Sequence, residues 1–164
     1  MKEVIPKKSL GQHWLHDADS LTAMLAAGQV SQHDTVVEIG PGLGTLTTYL
    51  VQTAQQVVAV EFDEALANDL PNQVPAKNLT IFHADCLTFD YTQLPRDYKV
   101  VANIPYYLTS NLLRVLSESA NPPAVIALLV QKEVAQRVAA QPGDMSLLSV
   151  SVQLYYQAQL KELV

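Results

Sequence analysis

Five short apolar runs alternate with segments of helical periodicity along this chain. Each run is rich in β-branched residues and apolar at consecutive positions, which is typical of strands buried on both faces. When helices separate such strands, the sheet is parallel and helices cover both of its faces. The pattern therefore predicts an α/β fold with a doubly wound, mostly parallel sheet. The five runs are TVVEIG, VVAVE, LTIFHAD, KVVANI and AVIALLV.

The two ends of the chain carry other signals. Residues 18–29 predict a leading helix, with Asp17 or Asp19 as its cap and Gly28 as its stop. Residues 145–164 allow either a helix or a strand, because apolar residues recur there at both spacings.

Composition and charge narrow the setting. A chain of 164 residues suits one domain, and the single cysteine, Cys86, gives no internal disulfide. The first residues form no continuous apolar segment and no apolar run approaches 18 residues, so we expect a cytoplasmic protein without a signal peptide or a membrane partner. The net charge of −6 argues against a surface that binds nucleic acid throughout. Lys2, Lys7 and Lys8 make residues 1–17 basic and leave a local basic face open.

The first predicted strand ends in a glycine-rich loop. Gly40, Gly42 and Gly44 alternate in EIGPGLG just before a predicted helix. Ligands of doubly wound sheets bind outside the carboxyl ends of the strands, where glycines let the backbone approach a ligand closely. The G-x-G-x-G spacing departs from the G-x-G-x-x-G dinucleotide fingerprint. It therefore favours S-adenosylmethionine, which has no pyrophosphate, over NAD, and a tight turn without a ligand is the structural alternative.

Acidic residues end the next two predicted strands. Glu61 ends VVAVE, where a carboxylate can accept hydrogen bonds from both hydroxyls of a ribose. Asp85 ends the HAD segment at the same edge, where it can accept a hydrogen bond from an adenine amino group. Each residue alone is compatible with a solvated loop acid. Together with the glycines they predict a nucleoside site.

The fourth predicted strand is followed by NIPYY. Asn103 and the backbone carbonyls around Ile104 and Pro105 can accept the hydrogens of an exocyclic amine, which makes its nitrogen a better nucleophile. Proline stiffens this turn, and Tyr106 offers a ring on which a flipped base can stack. The segment predicts a catalytic group of Asn103, Pro105 and Tyr106. A proline turn with half-buried tyrosines is the alternative.

These segments, with KKSLGQHWLHD and LLVQKEVAQRVAAQPG, resemble the ribosomal RNA adenine N6,N6-dimethyltransferases. The similarity is closest to the branch that modifies small-subunit ribosomal RNA, and it covers nearly the whole chain. The resemblance implies a Rossmann-like class I domain that uses S-adenosyl-L-methionine. It also implies that the partner is ribosomal RNA in a small-subunit assembly particle, guided by the early lysines. We expect the protein to be a monomer.

The same resemblance assigns roles to individual residues. His13 and Leu15 would help to close over the methionine part of the cofactor, and Trp14 stands where the family usually has Phe. Asn103 would link the cofactor to the target amine, and Tyr106 would stack against the target adenine. The implied cofactor contacts are His13, Leu15, Gly40, Gly42, Glu61, Asp85 and Asn103.

Family members continue into a last pair of strands and a helical domain that grips RNA. We therefore expect residues 1–164 to be a catalytic domain cut before the last strand, one that binds the cofactor but methylates ribosomal particles poorly. Three alternatives stay open: a large-subunit RNA methylase that confers antibiotic resistance, a non-catalytic RNA-binding assembly factor, and a small-molecule methyltransferase. His13 and His16 lack completing ligands, so we expect no metal site.

Overall fold

Five strands form one sheet in the computed structural model, which describes residues 18–161. The strands are β1 (Thr35–Ile39), β2 (Gln56–Glu61), β3 (Leu79–His83), β4 (Lys99–Asn103) and β5 (Val125–Leu129). Their order is β3-β2-β1-β4-β5, and every neighbouring pair is parallel. The predicted doubly wound sheet is confirmed. The chain winds outward from β1 in one direction and from β4 in the other, so the order reverses between these two strands.

Helices cover both faces of this sheet. They are α1 (Ala18–Ala27), α2 (Thr45–Thr53), α3 (Glu64–Gln73), α4 (Tyr106–Glu118), α5 (Lys132–Val138) and α6 (Leu147–Gln153). Successive side chains of β1 point to opposite faces of the sheet, so part of the hydrophobic core lies on each face. Val36 packs towards α1 and α2, whereas Val37 packs towards α4. α3 lies on the same face as α2, and α6 packs against α4 and α5.

The helices at the two ends of the described chain refine the sequence predictions. Asp17 lies outside the described residues, and Asp19 lies inside the first turn of α1 rather than capping it. Gly28 follows the end of the helix as predicted, but the residue with a left-handed backbone is Gln29, with φ 49°. In the ambiguous segment after residue 145, Leu147–Gln153 form α6.

A capping box explains why α6 is a helix. The N–H of Ser149 donates to Ser146 Oγ at 3.3 Å, and the N–H of Ser146 donates to Ser149 Oγ at 2.6 Å. These reciprocal bonds satisfy backbone donors that a helix otherwise leaves open at its start. Among residues 18–161 no helix is long and apolar enough to cross a membrane.

Candidate active site

The carboxyl ends of the strands meet at one edge of the sheet, which we call the rim. Glu61 ends β2 in register with His83 of β3, and Asn103 ends β4 in register with β5. The Gly40 N–H donates to the carbonyl of Val60 at 2.9 Å, and continuing the β1–β4 register brings Gly40 level with Asn103. Gly40, Glu61 and Asn103 therefore lie in one row where the strand order reverses. Crevices at such points are the usual ligand sites of doubly wound sheets.

Two glycines of the loop after β1 differ in what a side chain would meet. Gly40 and Gly44 both have a positive φ, 66° and 81°, which L side chains rarely adopt. A Cβ on Gly44 would approach Val74 Cγ2 to 2.7 Å and Leu70 Cδ1 to 2.8 Å. A Cβ on Gly40 would meet nothing within 4 Å. Gly44 therefore lets α2 pack against α3, whereas Gly40 presents open backbone that a ligand can approach.

The Glu61 side chain is hydrogen-bonded both to this loop and to the residue that precedes α3. It is buried, and Oε2 accepts a hydrogen bond from the Gly42 N–H at 3.1 Å while Oε1 accepts one from the Asp63 N–H at 2.8 Å. Each carboxylate oxygen has a second lone pair. Glu61 can therefore accept hydrogen bonds from two ligand hydroxyls, as a ribose requires, without giving up these backbone contacts.

Asp85 lies near the rim but not at a strand end. β3 stops at His83, so the prediction that Asp85 ends the strand is wrong by two residues. Its Oδ1 accepts the Leu87 N–H at 2.9 Å, and its carbonyl accepts the N–H groups of Thr88 and Phe89. This turn fixes a half-buried carboxylate one residue after Ala84, whose N–H donates to the Glu61 carbonyl at 2.9 Å.

An exposed aromatic side chain at the rim was missed by the sequence reasoning. Phe62 follows Glu61 directly and is 62 % exposed. Its carbonyl lies 3.2 Å from Nε2 of His83, which links the ends of β2 and β3. An exposed ring beside a ribose acceptor offers a flat apolar surface to a nucleobase. The signal in the sequence is the aromatic that directly follows the acid of VVAVE.

Glu38 is a second residue that was missed. It lies in β1, two residues before Gly40, and is only 1 % exposed. Burial raises the pKa of Glu38 to about 8, and the charge of Glu61 acts in the same direction. The hydroxyl of Thr47 opposes this shift, but it lies outside hydrogen-bonding geometry. Neither Glu38 Oε2 nor Thr47 Oγ1 has a hydrogen-bond partner within the described chain.

The NIPYY turn joins β4 to α4. Asn103 is the last residue of β4, Ile104 is buried, and Pro105 with φ −59° stands at the helix start as its N-cap. The Pro105 carbonyl accepts the N–H of Leu108 at 3.1 Å, so the helix already uses it. The roles of the Asn103 side chain and of the carbonyls of Ile104 and Pro105 as acceptors for a ligand stay predictions.

Three predicted site side chains are not part of this geometry. His13 and Leu15 precede the described residues. Tyr106 is the first residue of α4, but its side chain lies outside the description. Their roles stay predictions.

Comparison with known proteins gives a consistent result. The sequence model of one family, described as ribosomal RNA adenine dimethylase, matches residues 5–163. Ribosomal RNA small subunit methyltransferase A of Dehalococcoides mccartyi is 42 % identical over 162 residues, which cover 96 % of this chain and 56 % of that protein. The protein of the same name from Deinococcus radiodurans is 43 % identical over 141 residues, with coverages of 85 % and 47 %. This chain therefore spans about half the length of these curated relatives.

Solved structures agree with the sequence relatives. A dimethyladenosine transferase from Plasmodium falciparum superposes with a TM-score of 0.76 at 26 % identity, covering 87 % of this chain and 52 % of that one. The 23S rRNA methyltransferase ErmE superposes with a TM-score of 0.74 at 28 % identity, with coverages of 84 % and 56 %.

The all-parallel sheet, its reversal between β1 and β4, and these neighbours define the fold as that of the class I methyltransferases. Within that class, the chain belongs to the ribosomal RNA adenine dimethylase family.

Proposed function

We propose that this chain is the catalytic domain of an S-adenosylmethionine-dependent ribosomal RNA adenine N6,N6-dimethyltransferase. Its substrate is small-subunit ribosomal RNA in an assembly particle, and it works as a monomer in the cytoplasm. The observation that carries the proposal is the row of Gly40, Glu61 and Asn103 at the reversal point of the sheet. The curated relatives, which are named for small-subunit RNA, favour that branch.

The residues of the rim fit a nucleoside-bearing donor. The open backbone at Gly40 admits the ligand, and Glu61 offers two acceptor positions to a ribose. Asp85 accepts a hydrogen bond from the adenine amino group, and the exposed ring of Phe62 offers the adenine an apolar surface. We expect His13 and Leu15 to cover the methionine part.

The acceptors of the NIPYY turn act on the target base. S-adenosylmethionine supplies a methyl group on a positively charged sulfur. Asn103 Oδ1 and the Ile104 carbonyl hold the hydrogens of the target amine, which keeps the nitrogen lone pair out of conjugation with the ring. Pro105 fixes the direction of this turn, and the Tyr106 ring stacks on the flipped base. Positioning and polarisation then replace a strong base, and the nitrogen gives up its proton to water.

Calorimetry and a methylation assay test the proposal. We expect S-adenosylmethionine and S-adenosylhomocysteine to bind and NAD not to bind. Small-subunit particles that lack the modification should gain N6,N6-dimethyladenosine, detected by mass spectrometry, but less of it than with a full-length enzyme, because this chain spans about half the length of its curated relatives. A full-length family member serves as the positive control, and large-subunit particles are assayed in parallel. Binding of NAD alone would refute the donor assignment, methylation of large-subunit RNA would refute the branch, and binding without any methylation would favour a non-catalytic assembly factor.

A further inference from the structure

One face of α4 is exposed, although this helix begins at the rim. Tyr107 is 52 % exposed, the Arg114 side chain is 61 % exposed, and Asn111 between them is exposed as well. Spacings of four and three residues place these side chains in one row on the surface of a helix. The opposite face of α4 is buried and includes Leu112 and Leu116. We call Tyr107, Asn111 and Arg114 the α4 stripe.

The α4 stripe begins beside the proposed catalytic turn. Tyr107 lies four residues after Asn103, which is the last residue of β4, so the first turn of the helix lies at the rim. Arg114 is seven residues further on, which is about 10 Å along the helix axis. A strand of nucleic acid that brings one base to Asn103 can therefore continue over Tyr107 and Asn111 towards Arg114.

The three side chains of the α4 stripe offer the contacts that single-stranded RNA uses. A tyrosine ring can stack on any base, an amide can hydrogen-bond to a base edge or a ribose hydroxyl, and a guanidinium pairs with phosphate. Arg114 Nη1 lies 3.7 Å from Oε2 of Glu118, and both side chains are more than half exposed. Exposed ion pairs of this kind are weak, so a phosphate can replace Glu118 as the partner.

The formal charge of the chain differs on the two sides of the reversal point. Residues 18–98, which form β1 to β3, hold ten acidic and two basic side chains and therefore carry −8. Residues 99–161, which form β4, β5 and α4, hold three acidic and five basic side chains and carry +2. No charged residue separates Asn103 from Arg114 in the sequence. RNA is a polyanion, so it is repelled over β2 and β3 and approaches more favourably over α4.

We propose that the α4 stripe binds the single-stranded RNA that flanks the target adenine. Tyr107 stacks on the base next to the target, Asn111 hydrogen-bonds to the same strand, and Arg114 contacts its phosphate backbone. This inference rests on the proposed function and deepens it, because it names the surface that guides the substrate strand. The stripe does not hold the target amine, so it contributes to RNA binding rather than to the methyl-transfer step.

Binding of a labelled RNA oligonucleotide tests the stacking contact. The oligonucleotide is unstructured and contains adenines, and its affinity is measured by fluorescence anisotropy at low salt with S-adenosylhomocysteine present. Tyr107→Ala should weaken binding by about 5- to 100-fold, because a stacked base loses its ring. Tyr107→Phe should retain the affinity, since stacking does not need the hydroxyl. The same RNA annealed to its complement should be insensitive to Tyr107→Ala, because the bases of a duplex stay stacked on one another.

Matched variants locate the effect on the protein surface. Tyr155→Ala removes another tyrosine of similar exposure, 57 %, which lies beyond the end of α6, and it should leave RNA affinity unchanged. Arg114→Gln should reduce the slope of log affinity against log salt by about 0.7, the value for one phosphate contact of a single strand. Arg96→Gln, at an exposed position of the opposite edge, should leave that slope unchanged.

Kinetics separate a binding role of Tyr107 from a structural one. In methylation of small-subunit particles, Tyr107→Ala should raise KM for the particle while kcat and donor affinity stay close to those of the unchanged protein. A ring that only supports the NIPYY turn would instead lower kcat or donor affinity when it is removed. Calorimetry with S-adenosylmethionine on every variant also verifies that the site is folded.

The outcomes distinguish this inference from the proposed function. RNA binding that Tyr107→Ala and Arg114→Gln leave unchanged, or a loss confined to kcat, would overturn the role of the α4 stripe and leave the proposed function intact. Failure of the unchanged protein to bind either S-adenosylmethionine or RNA would overturn both. Weaker RNA binding in these two variants, with Tyr155→Ala and Arg96→Gln unaffected, would support the inference.

Discussion

The two edges of the sheet differ in how fully their residues are hydrogen-bonded and packed within the protein. At the rim, Glu38 Oε2 has no partner within the described chain, Gly40 presents open backbone, and Phe62 is exposed. At the opposite, amino-terminal edge, Asp34 accepts hydrogen bonds from Lys99 Nζ at 2.9 Å and from the N–H of Ser31 at 2.6 Å. These groups at the rim are not paired or packed within the described chain, whereas Asp34 at the opposite edge is hydrogen-bonded within it.

The amino-terminal edge nevertheless contains a hollow of its own. A cleft of about 590 Å³ opens there, lined by residues such as Lys77, Asn78 and Arg96. Asn78 Nδ2 donates to the carbonyls of Val51 and Ala54, at 2.9 and 3.1 Å, so its amide is already used. Volume alone therefore does not identify the site. Groups that have no partner within the described chain identify a ligand site better, and such groups lie at the rim.

The test with the largest expected effect on catalysis replaces one asparagine at each edge with alanine. Asn103→Ala should lower methyl transfer by about 100-fold, because it removes an acceptor that holds the reacting amine, while donor affinity changes little. Asn78→Ala should leave transfer per folded molecule unchanged and lower the free energy of unfolding by about 2 kcal/mol, since two backbone carbonyls lose a donor.

Single-turnover methylation at saturating enzyme measures the first effect, and urea unfolding measures the second. Normal transfer by Asn103→Ala would contradict the polarised-amine mechanism. A comparable loss of transfer in Asn78→Ala would show that the two edges do not divide binding from stability as we describe.

The glycine loop offers a second test within one segment. Gly44→Ala should lower the free energy of unfolding by about 3 kcal/mol, because it combines a left-handed backbone with contacts below 3 Å to Val74 and Leu70. Gly40→Ala meets no neighbour, so it should cost only about 1 kcal/mol for its positive φ. Its larger effect should be on donor affinity, since a methyl group would stand on the open backbone.

Chemical unfolding and calorimetry of both variants decide this point. If Gly40→Ala binds S-adenosylmethionine with wild-type affinity, the ligand does not approach the backbone there. If Gly44→Ala is as stable as the parent, the fit between α2 and α3 is looser than the distances indicate.

Most of the fold and several rim residues were predictable from the sequence because both depend on local periodicity. A strand that is apolar on both faces ends where glycine or polar residues begin. The sequence alone therefore predicts that Gly40, Glu61 and Asn103 lie at one edge of the sheet. The side chains of His13, Leu15 and Tyr106 fall outside the described structure, and their roles remain predictions.

Features that depend on three-dimensional neighbours were not predictable. Glu38 interrupts an apolar strand, but only its burial in the folded chain, together with the charge of Glu61, raises its pKa. The sequence also did not show that the Pro105 carbonyl accepts the N–H of Leu108 at the start of α4. In the same way, Gln29 rather than Gly28 takes the left-handed conformation after α1, because tertiary context decides which residue bends.

The last test of this comparison concerns the ion pair at the amino-terminal edge. The Lys99 and Asp34 side chains are 14 % and 17 % exposed, and Lys99 Nζ also donates to the Gln29 carbonyl. Burial alone would raise the pKa of Asp34, but hydrogen bonds from Lys99 and Ser31 outweigh it and lower the pKa. Asp34 therefore contributes stability that is present above its unfolded pKa and is lost as the pH falls through the lower, folded value.

Lys99→Met keeps the length of the side chain but leaves Asp34 with an unpaired charge. Partial exposure moderates the penalty, so we expect a loss of about 2 kcal/mol in the free energy of unfolding at pH 7. The deficit should shrink as Asp34 becomes protonated in acid, and donor affinity should stay within about twofold because the rim is untouched. Lys77→Met, at an exposed position on the same edge, is the matched control and should change stability by less than about 0.5 kcal/mol. A marked loss of donor affinity in Lys99→Met would mean that the amino-terminal edge takes part in binding, and the division between the two edges would then fail.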